Sequence, residues 1–288
     1  MPNQQVTRFA SPPSNRGDIR ETPLIDAIRK RSAILFIGAG VSMNLGLPSW
    51  HALTQRMIRH FGLDEALLHR PHITYQTVAE YFLIQGGDIR LLRDWLEADG
   101  EVGPEALYRS KIHELIVSLD CPLIYTTNYD RNLELAYEHH KRSYVKITTP
   151  GDVVRAKAGQ TQIIKFHGDF DEPASLVLSE THHFERLFFN CPLDIKLRAD
   201  ALGRTILFIG YSMSDMNIRL LLYRLWRTWV EAGQETDRPP SFVFTSDPDP
   251  IQEAVLGHWG ITVIEGTTPD PGKALETFLG SLAKNLRG

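Results

Sequence analysis

The chain has 288 residues, with a hydrophobic share of 42%, a charged share of 23% and a formal net charge of -4. This balance is ordinary for a folded globular protein and gives no global attraction for nucleic acid, so we expect no direct nucleic-acid binding. No apolar run reaches membrane-spanning length and the N-terminus lacks a signal-peptide pattern, which predicts a cytoplasmic protein with no membrane partner. The two cysteines, Cys121 and Cys191, are too few for a four-cysteine zinc site, and we predict no metal.

The first part of the chain contains one strand followed by a long helical stretch. Residues 1–20 are rich in Pro, Ser, Asn and Arg and are predicted to form a flexible arm before a single domain over 21–288. A helix over TPLIDAIRKR precedes an apolar strand, ILFIG, at 34–38. Residues 51–119 then show helical patterns broken by glycine and proline. They predict a helical insertion between two strands.

The rest of the chain alternates strand and helix signals. CPLIY precedes a helix, YVKITTPGDVVRA and QIIKFHGD are predicted to be strands around a turn, and a loop with helices leads to a second ILFIG at 206–210. The helix SDMNIRLLLYRLWRTWVEAG, the strands SFVFTSDPD and ITVIEG and a final helix complete the pattern. This alternation predicts an α/β fold, namely a Rossmann-like doubly wound parallel sheet with a helical insertion.

The repeated ILFIG indicates where a ligand would bind. Each copy is an apolar run that ends in glycine and small polar residues. In a parallel sheet, ligands bind at the carboxyl ends of central strands, so two such strands could form two walls of one crevice. Internal duplication is the alternative explanation, although the similarity stops within a few residues of each glycine.

Four predicted strand ends carry groups suited to chemistry. The amides of residues 38–42 could hold phosphate oxygens, although a tight turn without a ligand fits the same glycines. Asn128 could position a water or a ribose hydroxyl, or cap a helix. His167 suits proton transfer near neutrality, or a purely structural role. Gly210 ends the second ILFIG, and the doubly wound topology would bring all four strand ends to one edge of the sheet.

In order and approximate spacing, the motifs GAGVS, GLP, TTNYD, FHG and IGYS resemble the NAD-binding core of the sirtuins. Three features depart from that pattern, the first of which is Thr127 in the place of the Gln of the third sirtuin motif. Ser49, Trp50 and His51 stand where sirtuins have Asp-Phe-Arg, and the sirtuin four-cysteine zinc module is absent. The chain is more similar to the zinc-free, sirtuin-like (Sir2-type) NAD hydrolases of bacterial antiviral defence systems, whose further G-x-S-x-x-D motif it also matches.

This resemblance implies an NAD+ hydrolase that releases ADP-ribose and nicotinamide. Asn128 would position the attacking water or a ribose hydroxyl, and His167 would orient the ribose and act as general base. Asp130 is expected mainly to shape its loop. The residues implied to contact NAD+ are Gly38, Ala39, Gly40, Ser42, Thr127, Asp130, Gly210, Ser212 and Thr245. Two other classes stay open: an NAD-dependent protein deacylase or ADP-ribosyltransferase, and a non-catalytic module that binds NAD or ADP-ribose.

The resemblance also implies control from outside this domain, because no sensor-like segment is evident in the sequence. It implies the effector of an antiphage abortive-infection system, restrained by homo-oligomerisation or by a separately encoded partner such as a HerA-type ATPase or an Argonaute-like protein. The helix MNIRLLLYRLWRTWVEAG combines apolar residues with arginines and is a candidate contact surface. Packing against its own sheet explains the same pattern.

Overall fold

All the strands that the structure describes lie in one parallel sheet. A computed structural model describes residues 23–99, 104–188, 190–211 and 216–287, so the predicted arm at 1–20 lies outside the described residues. The strands are β1 Ala33–Ile37, β2 Leu123–Thr126, β3 Tyr144–Ile147, β4 Thr161–Lys165, β5 Thr205–Ile209, β6 Ser241–Thr245 and β7 Ile261–Glu265. Their order across the sheet is β3-β4-β2-β1-β5-β6-β7, and every neighbouring pair is parallel.

Helices connect the strands and cover both faces of the sheet. They are α1 Pro23–Arg29, α2 Ala39–Met43, α3 Trp50–His60, α4 Tyr75–Ile84, α5 Ile89–Asp99, α6 Pro104–Arg109, α7 Lys111–Ser118, α8 Asn132–His139, α9 Pro150–Arg155, α10 Glu180–Arg186, α11 Pro192–Leu202, α12 Met216–Glu231, α13 Pro250–His258 and α14 Pro271–Arg287. Short 3-10 helices span Glu65–His69, Pro173–Ser175 and Glu235–Asp237. Within the described ranges, no helix combines the length and the apolar character that crossing a membrane requires.

The central strands are buried on both faces. Along β1, Leu35 and Ile37 enter a core shared with α1, α7, α8 and α14, whereas Ile34 and Phe36 enter a core shared with α11, α12 and α13. Every residue of β1 and of β5 is buried. Helices on both faces of a parallel sheet produce this pattern. The prediction of a doubly wound, Rossmann-like α/β fold is confirmed.

The helices between β1 and β2 contain an apolar cluster of their own. Its members come mainly from α3, α4 and α5, and the segments after β2 and β4 contribute further side chains. Its buried residues are Leu53, Met57, Ile58, Val78, Ala79, Phe82, Leu92, Tyr129, Leu176 and Leu178. By contrast, α7 contributes to the sheet core together with α14. The domain limits and the insertion at 51–119 stay predictions, but α3, α4 and α5 pack against one another.

The two ILFIG stretches are neighbouring strands that pair residue for residue. Ile34 of β1 stands opposite Ile206 of β5, and the register continues to the end of both strands. Beyond it, the Gly38 N–H donates to the Ile209 carbonyl at 2.9 Å, and the Gly40 N–H donates to the Gly210 carbonyl at 3.0 Å. The two turns therefore meet in a close junction, where a β-carbon on Gly38 would lie 2.4 Å from the Gly210 oxygen.

Replacing Gly210 with alanine should destabilise this junction. Its φ is +70°, and a β-carbon would lie 2.8 Å from the Val41 nitrogen. Backbone strain and the clash together should lower the free energy of unfolding by about 2–4 kcal/mol. Urea unfolding measures the loss. Gly203→Ala is the matched control, because a β-carbon there meets nothing within 4 Å; equal midpoints for the two variants would contradict the argument.

Two elements differ from the sequence prediction. The expected strand over YVKITTPGDVVRA ends at Ile147, and helix α9 follows, because the Asp152 carboxylate accepts the Thr149 N–H at 2.8 Å and Pro150 suits a first turn. The sequence patterns also predict no helix between β6 and β7, where α13 lies. The Asp249 carboxylate caps its first turn, and parallel neighbours require such a crossover.

Candidate active site

A cleft with a cavity volume of about 60 Å³ lies over the carboxyl ends of β1 and β2. Its walls come from the turn after β1, the segment that enters α3, the segment after β2, and α5. The lining residues are Ala39, Ser42, Leu47, Pro48, Ser49, Trp50, Leu53, Leu96, Thr127, Asn128, Tyr129 and Asp130. Five of the residues singled out from the sequence therefore meet here: Ala39, Ser42, Thr127, Asn128 and Asp130.

Asn128 is fixed in the wall of this cleft. Its side-chain NH2 group donates to the Gly38 carbonyl and to the Ser42 hydroxyl, both at 3.1 Å, and its backbone N–H donates to the Thr126 hydroxyl at 3.0 Å. The residue is 8% exposed, and its side-chain oxygen accepts no hydrogen bond from the described residues. Buried amide oxygens normally have a partner. The amide is therefore held in one orientation, and its oxygen is a buried acceptor without a partner among the described residues.

Hydroxyl groups tie together the ends of the three central strands. The Thr126 hydroxyl donates to the Ile37 carbonyl at 2.9 Å. The Thr127 hydroxyl and the Tyr211 hydroxyl lie 2.8 Å apart, and the Tyr211 hydroxyl also donates to the Ile37 carbonyl at 3.3 Å. These contacts connect β1, β2 and the segment after β5. On the β5 side, the wall of the cleft is therefore held together by hydrogen bonds.

Asp130 lies where the segment after β2 enters α8. Its carboxylate accepts the Asn132 N–H at 3.0 Å, and its backbone carbonyl accepts a hydrogen bond from the Lys165 ammonium. The first contact is the loop-shaping kind expected from the sequence. Because Asp130 also lines the cleft, contact with NAD+ stays a prediction for this residue.

His167 stands at the neighbouring strand end. Thr126 of β2 pairs with Lys165 of β4, and Asn128 and His167 each follow two residues later. The two side chains implied to be catalytic therefore leave the same edge of the sheet from adjacent strands. His167 is 5% exposed and does not belong to the described residues that line the cleft.

The surroundings of His167 keep its imidazole neutral. Its ring centroid lies 5.8 Å from that of Phe166 and 5.4 Å from that of His183, which approaches edge-on. Burial, followed by the nearby His183 and Arg186, holds the pKa of His167 well below its ordinary value. A neutral imidazole can accept a proton near neutrality.

The three predicted glycines lie in the junction between the turns after β1 and β5. Gly38 and Gly40 use their N–H groups in the junction with β5, and Gly210 completes that junction. Among the described residues, the lining of the cleft does not include them. The two engaged amides are occupied within the protein, so the predicted phosphate contacts of this turn stay predictions.

Two further predicted contacts lie elsewhere. Thr245 ends β6, which is two strands away from β1, and its hydroxyl accepts the Asp247 N–H at 3.2 Å in a local turn. It is not grouped with the described lining residues. Ser212, and with it Asp215 of the G-x-S-x-x-D motif, lies outside the described residues. An NAD+ contact at either place stays a prediction.

Several residues of the cleft wall have no site role predicted from the sequence. Trp50 and Tyr129 approach edge to face, with ring centroids 6.0 Å apart, and Leu47 and Leu96 complete an apolar side. The sequence GLP after GAG could have indicated Leu47. Leu96 has no local signal, because only the packing of α5 against the sheet edge brings it to the cleft.

A second cavity of about 310 Å³ adjoins the first. The two share Leu47, Leu96, Tyr129 and Asp130. The second is bordered by charged side chains such as Arg131, and the whole space is wider than the first cleft alone. A ligand longer than the first cleft can therefore extend across Asp130 towards the start of α8.

The described residues contain no group of three His, Cys, Asp or Glu side chains placed to hold a metal ion. The Cys121 thiol is buried, and Cys191 is half-buried at the start of α11; both thiols are free. The expectation of a zinc-free protein stays a prediction.

Several known proteins are similar to this chain. Residues 122–264 match the family model of the SIR2-like domain. NAD(+) hydrolase ThsA of Enterococcus faecium is 30% identical over 222 residues, which is 74% of this chain and 43% of that protein. Defense-associated sirtuin 2 of Bacillus subtilis is 26% identical over 261 residues, or 85% of this chain and 24% of that protein. The chain thus spans less than half the length of these relatives.

Among solved structures, a Sir2 homologue in complex with NAD aligns with 91% of this chain and 94% of its own chain. The TM-score is 0.47 and the sequence identity is 14%. The seven parallel strands themselves show the α/β fold.

Proposed function

This chain belongs to the SIR2-like family, and from that premise we propose that it is an NAD+ hydrolase that cleaves NAD+ to ADP-ribose and nicotinamide. One matched relative is named NAD(+) hydrolase ThsA. The observation that carries the proposal is the side-chain oxygen of Asn128, which is buried at the cleft and has no hydrogen-bond partner in the described protein. An oriented acceptor at this position can hold a water or a ribose hydroxyl.

The proposed reaction exchanges one bond at the ribose C1′. The water oxygen attacks C1′, the bond to the nicotinamide nitrogen breaks, and its electron pair leaves with nicotinamide. Positive charge builds on the ribose in the transition state, so the site has to hold the ribose while it admits one water. The Asn128 oxygen accepts a hydrogen bond from the water or from a ribose hydroxyl. Trp50 and Tyr129 exclude other solvent from this end of the cleft.

His167 is the proposed general base. The proton lost by the attacking water passes to the neutral imidazole of His167. This residue follows the end of β4, next to the end of β2 that carries Asn128. Its lowered pKa predicts that the base form persists below pH 6.5, the ordinary pKa of histidine. The turn after β1, with Ala39 and Ser42 in the cleft wall, is the proposed place of the pyrophosphate and the neighbouring ribose.

We propose a role in antiviral defence on the basis of the two relatives whose names state defence or NAD(+) hydrolysis. Control by homo-oligomerisation or by a partner such as a HerA-type ATPase or an Argonaute-like protein is part of this proposal. Helix α12 offers little apolar surface for such a contact. Ile218, Leu221 and Leu222 are buried in the sheet core, and Leu220 and Leu225 pack against it, so packing within the domain explains most of its apolar side.

A direct test is release of nicotinamide from NAD+ by the purified protein in water enriched in oxygen-18. A hydrolase places the label in ADP-ribose, whereas a transferase places ADP-ribose on a protein acceptor and a deacylase requires an acylated peptide. His167→Ala should lower the rate by at least about 100-fold. His69→Ala, at an exposed histidine of a 3-10 helix, should match the wild type. Calorimetric binding of NAD+ with no turnover would favour the non-catalytic module instead.

A further inference from the structure

A buried ion pair lies beside the end of β4. Arg186, in the last turn of α10, donates from Nε to both carboxylate oxygens of Asp194, at 3.0 and 3.1 Å, and from Nη2 to one of them. The Asp194 side chain is fully buried and that of Arg186 is 13% exposed. A guanidinium held by such bidentate hydrogen bonds has one fixed orientation. Asp194 of α11 thus sets the direction of the Arg186 head group.

The same guanidinium fixes the residue before His167. Its Nη1 donates to the Phe166 carbonyl at 2.9 Å, and its central carbon lies 4.3 Å from the centroid of the Phe166 ring. That carbonyl belongs to the peptide group that joins Phe166 to His167. Since the peptide group is planar, holding its oxygen also holds the nitrogen of His167. On the other side, the Phe166 N–H donates to the Thr126 carbonyl at 2.7 Å.

Helix α10 also supplies the charged and titratable groups that face the imidazole. His183 approaches the His167 ring edge-on, and Arg186 lies one turn further along the helix, with Asp194 behind it. A guanidinium next to an imidazole disfavours the charged form of the imidazole. The ion pair therefore has two effects on His167, one on its backbone and one on its charge.

We infer that Arg186, held by Asp194, is a positioning residue that orients His167 for catalysis. This inference rests on the proposed hydrolase function, and it adds to that function a residue that is not among the described residues lining the cleft. A merely structural ion pair would contribute to folding and affect the charge of His167, but its loss in a folded variant would leave kcat at the optimal pH unchanged. The two roles therefore differ in a measurable property.

The test compares pH profiles of NAD+ hydrolysis for three variants. Arg186→Met should lower kcat by about 10- to 100-fold with little change in KM, because the base is displaced and the substrate contacts are kept. The acid limb of its profile should move to higher pH, since loss of the cation makes His167 easier to protonate. Arg186→Lys keeps the positive charge but loses the bidentate hydrogen bonding to Asp194. The acid limb of its pH profile should therefore lie close to that of the wild type, while kcat stays low.

Arg186→Met leaves Asp194 buried without its partner, and the fold could suffer. The double variant Arg186→Met with Asp194→Leu removes both charges and should keep the chain folded. It should still hydrolyse NAD+ slowly, with the shifted limb. Lys196→Met is the matched control, because it breaks another partly buried ion pair on α11, that of Lys196 with Asp200. Its acid limb should stay where the wild type has it.

An NMR titration of the His167 ring separates this inference from the proposed function. The resonance is assigned by its loss in His167→Ala. The pKa of the His167 imidazole should rise in Arg186→Met and in the double variant. If the wild type releases no nicotinamide, the hydrolase proposal fails, but the titration still tests the effect of Arg186. An unchanged His167 titration in a folded double variant, or a wild-type kcat and acid limb, would overturn the inference.

Discussion

Asn128→Ala is expected to lower the rate of nicotinamide release by about 100- to 1,000-fold, because an oriented polar contact to the reacting groups is lost. The loss should fall on kcat more than on KM, since the walls of the cleft keep their contacts with the rest of NAD+. Ser42→Ala provides a graded comparison. It removes one of the two hydrogen bonds that hold the amide but leaves the Asn128 oxygen in place, so it should cost less than about 10-fold, in line with one neutral hydrogen bond.

Asn128→Asp tests the orientation of the amide. The carboxylate is nearly isosteric and keeps an acceptor, but it cannot donate to the Gly38 carbonyl, which it would face with a negative charge. We expect a slow enzyme, similar to Asn128→Ala. Asn285→Ala, on α14 and away from the cleft, is the control and should match the wild type. A folded Asn128→Ala protein with wild-type turnover would remove Asn128 from the proposed reaction.

The sheet could be predicted because its signals are local. Buried parallel strands are continuous apolar runs, and both ILFIG stretches and PLIY are of this kind. The helix α9 was predicted wrongly because its two valines have strand character, whereas the capping contact between Thr149 and Asp152 decides the local structure. Capping pairs are visible in a sequence, but they compete with apolar patterns of similar length.

The candidate site could be predicted in part. Motifs that follow directly after strands brought Ala39, Ser42 and Asn128 to one cleft, because the topology places the ends of β1 and β2 side by side. The sequence does not state the order of strands across the sheet. That order separates Thr245 from the cleft. The direction of a side chain cannot be read from the sequence either. His167 packs against His183 of α10, although its strand end is adjacent to that of Asn128.

Contacts between segments that are distant in the chain could not be predicted from the sequence. Leu96 joins the cleft only through the packing of α5, and Arg186 reaches the Phe166 carbonyl only because α10 folds back on the end of β4. The engagement of the Gly38 and Gly40 amides depends on the register between β1 and β5. A repeat such as ILFIG is visible in the sequence; the pairing of its two copies is not.

Lys165→Met is expected to cause the largest loss of stability. The side chain of Lys165, the last residue of β4, is fully buried. Its ammonium lies 3.4 Å from the Glu134 carboxylate and 3.7 Å from that of Asp169, and it also donates to the Asp130 carbonyl. Neither Glu134 oxygen accepts a hydrogen bond from the described residues. Without Lys165 a buried carboxylate has lost its partner, which should cost about 3–5 kcal/mol in the free energy of unfolding.

The pH dependence of this loss identifies its cause. Burial raises the pKa of Glu134, and Lys165 opposes that rise. Removing Lys165 should raise this pKa further. A carboxyl group whose pKa is higher in the folded than in the unfolded state destabilises the fold once the pH exceeds the unfolded value, and it stops doing so on acidification. Urea unfolding should therefore show a larger loss for Lys165→Met at pH 8 than at pH 5.

A second substitution separates charge from packing. Lys165→Met combined with Glu134→Leu removes the unpaired carboxylate, so it should be more stable at pH 8 than Lys165→Met alone and should lose the pH dependence. Lys111→Met is the matched control, because the ion pair of Lys111 with Glu114 is about half exposed and should contribute less than about 1 kcal/mol. If Lys165→Met lost the same stability at both pH values, the buried carboxylate would not be its cause. The loss would then arise from the Asp130 carbonyl, which Lys165 connects to the strand end that carries His167.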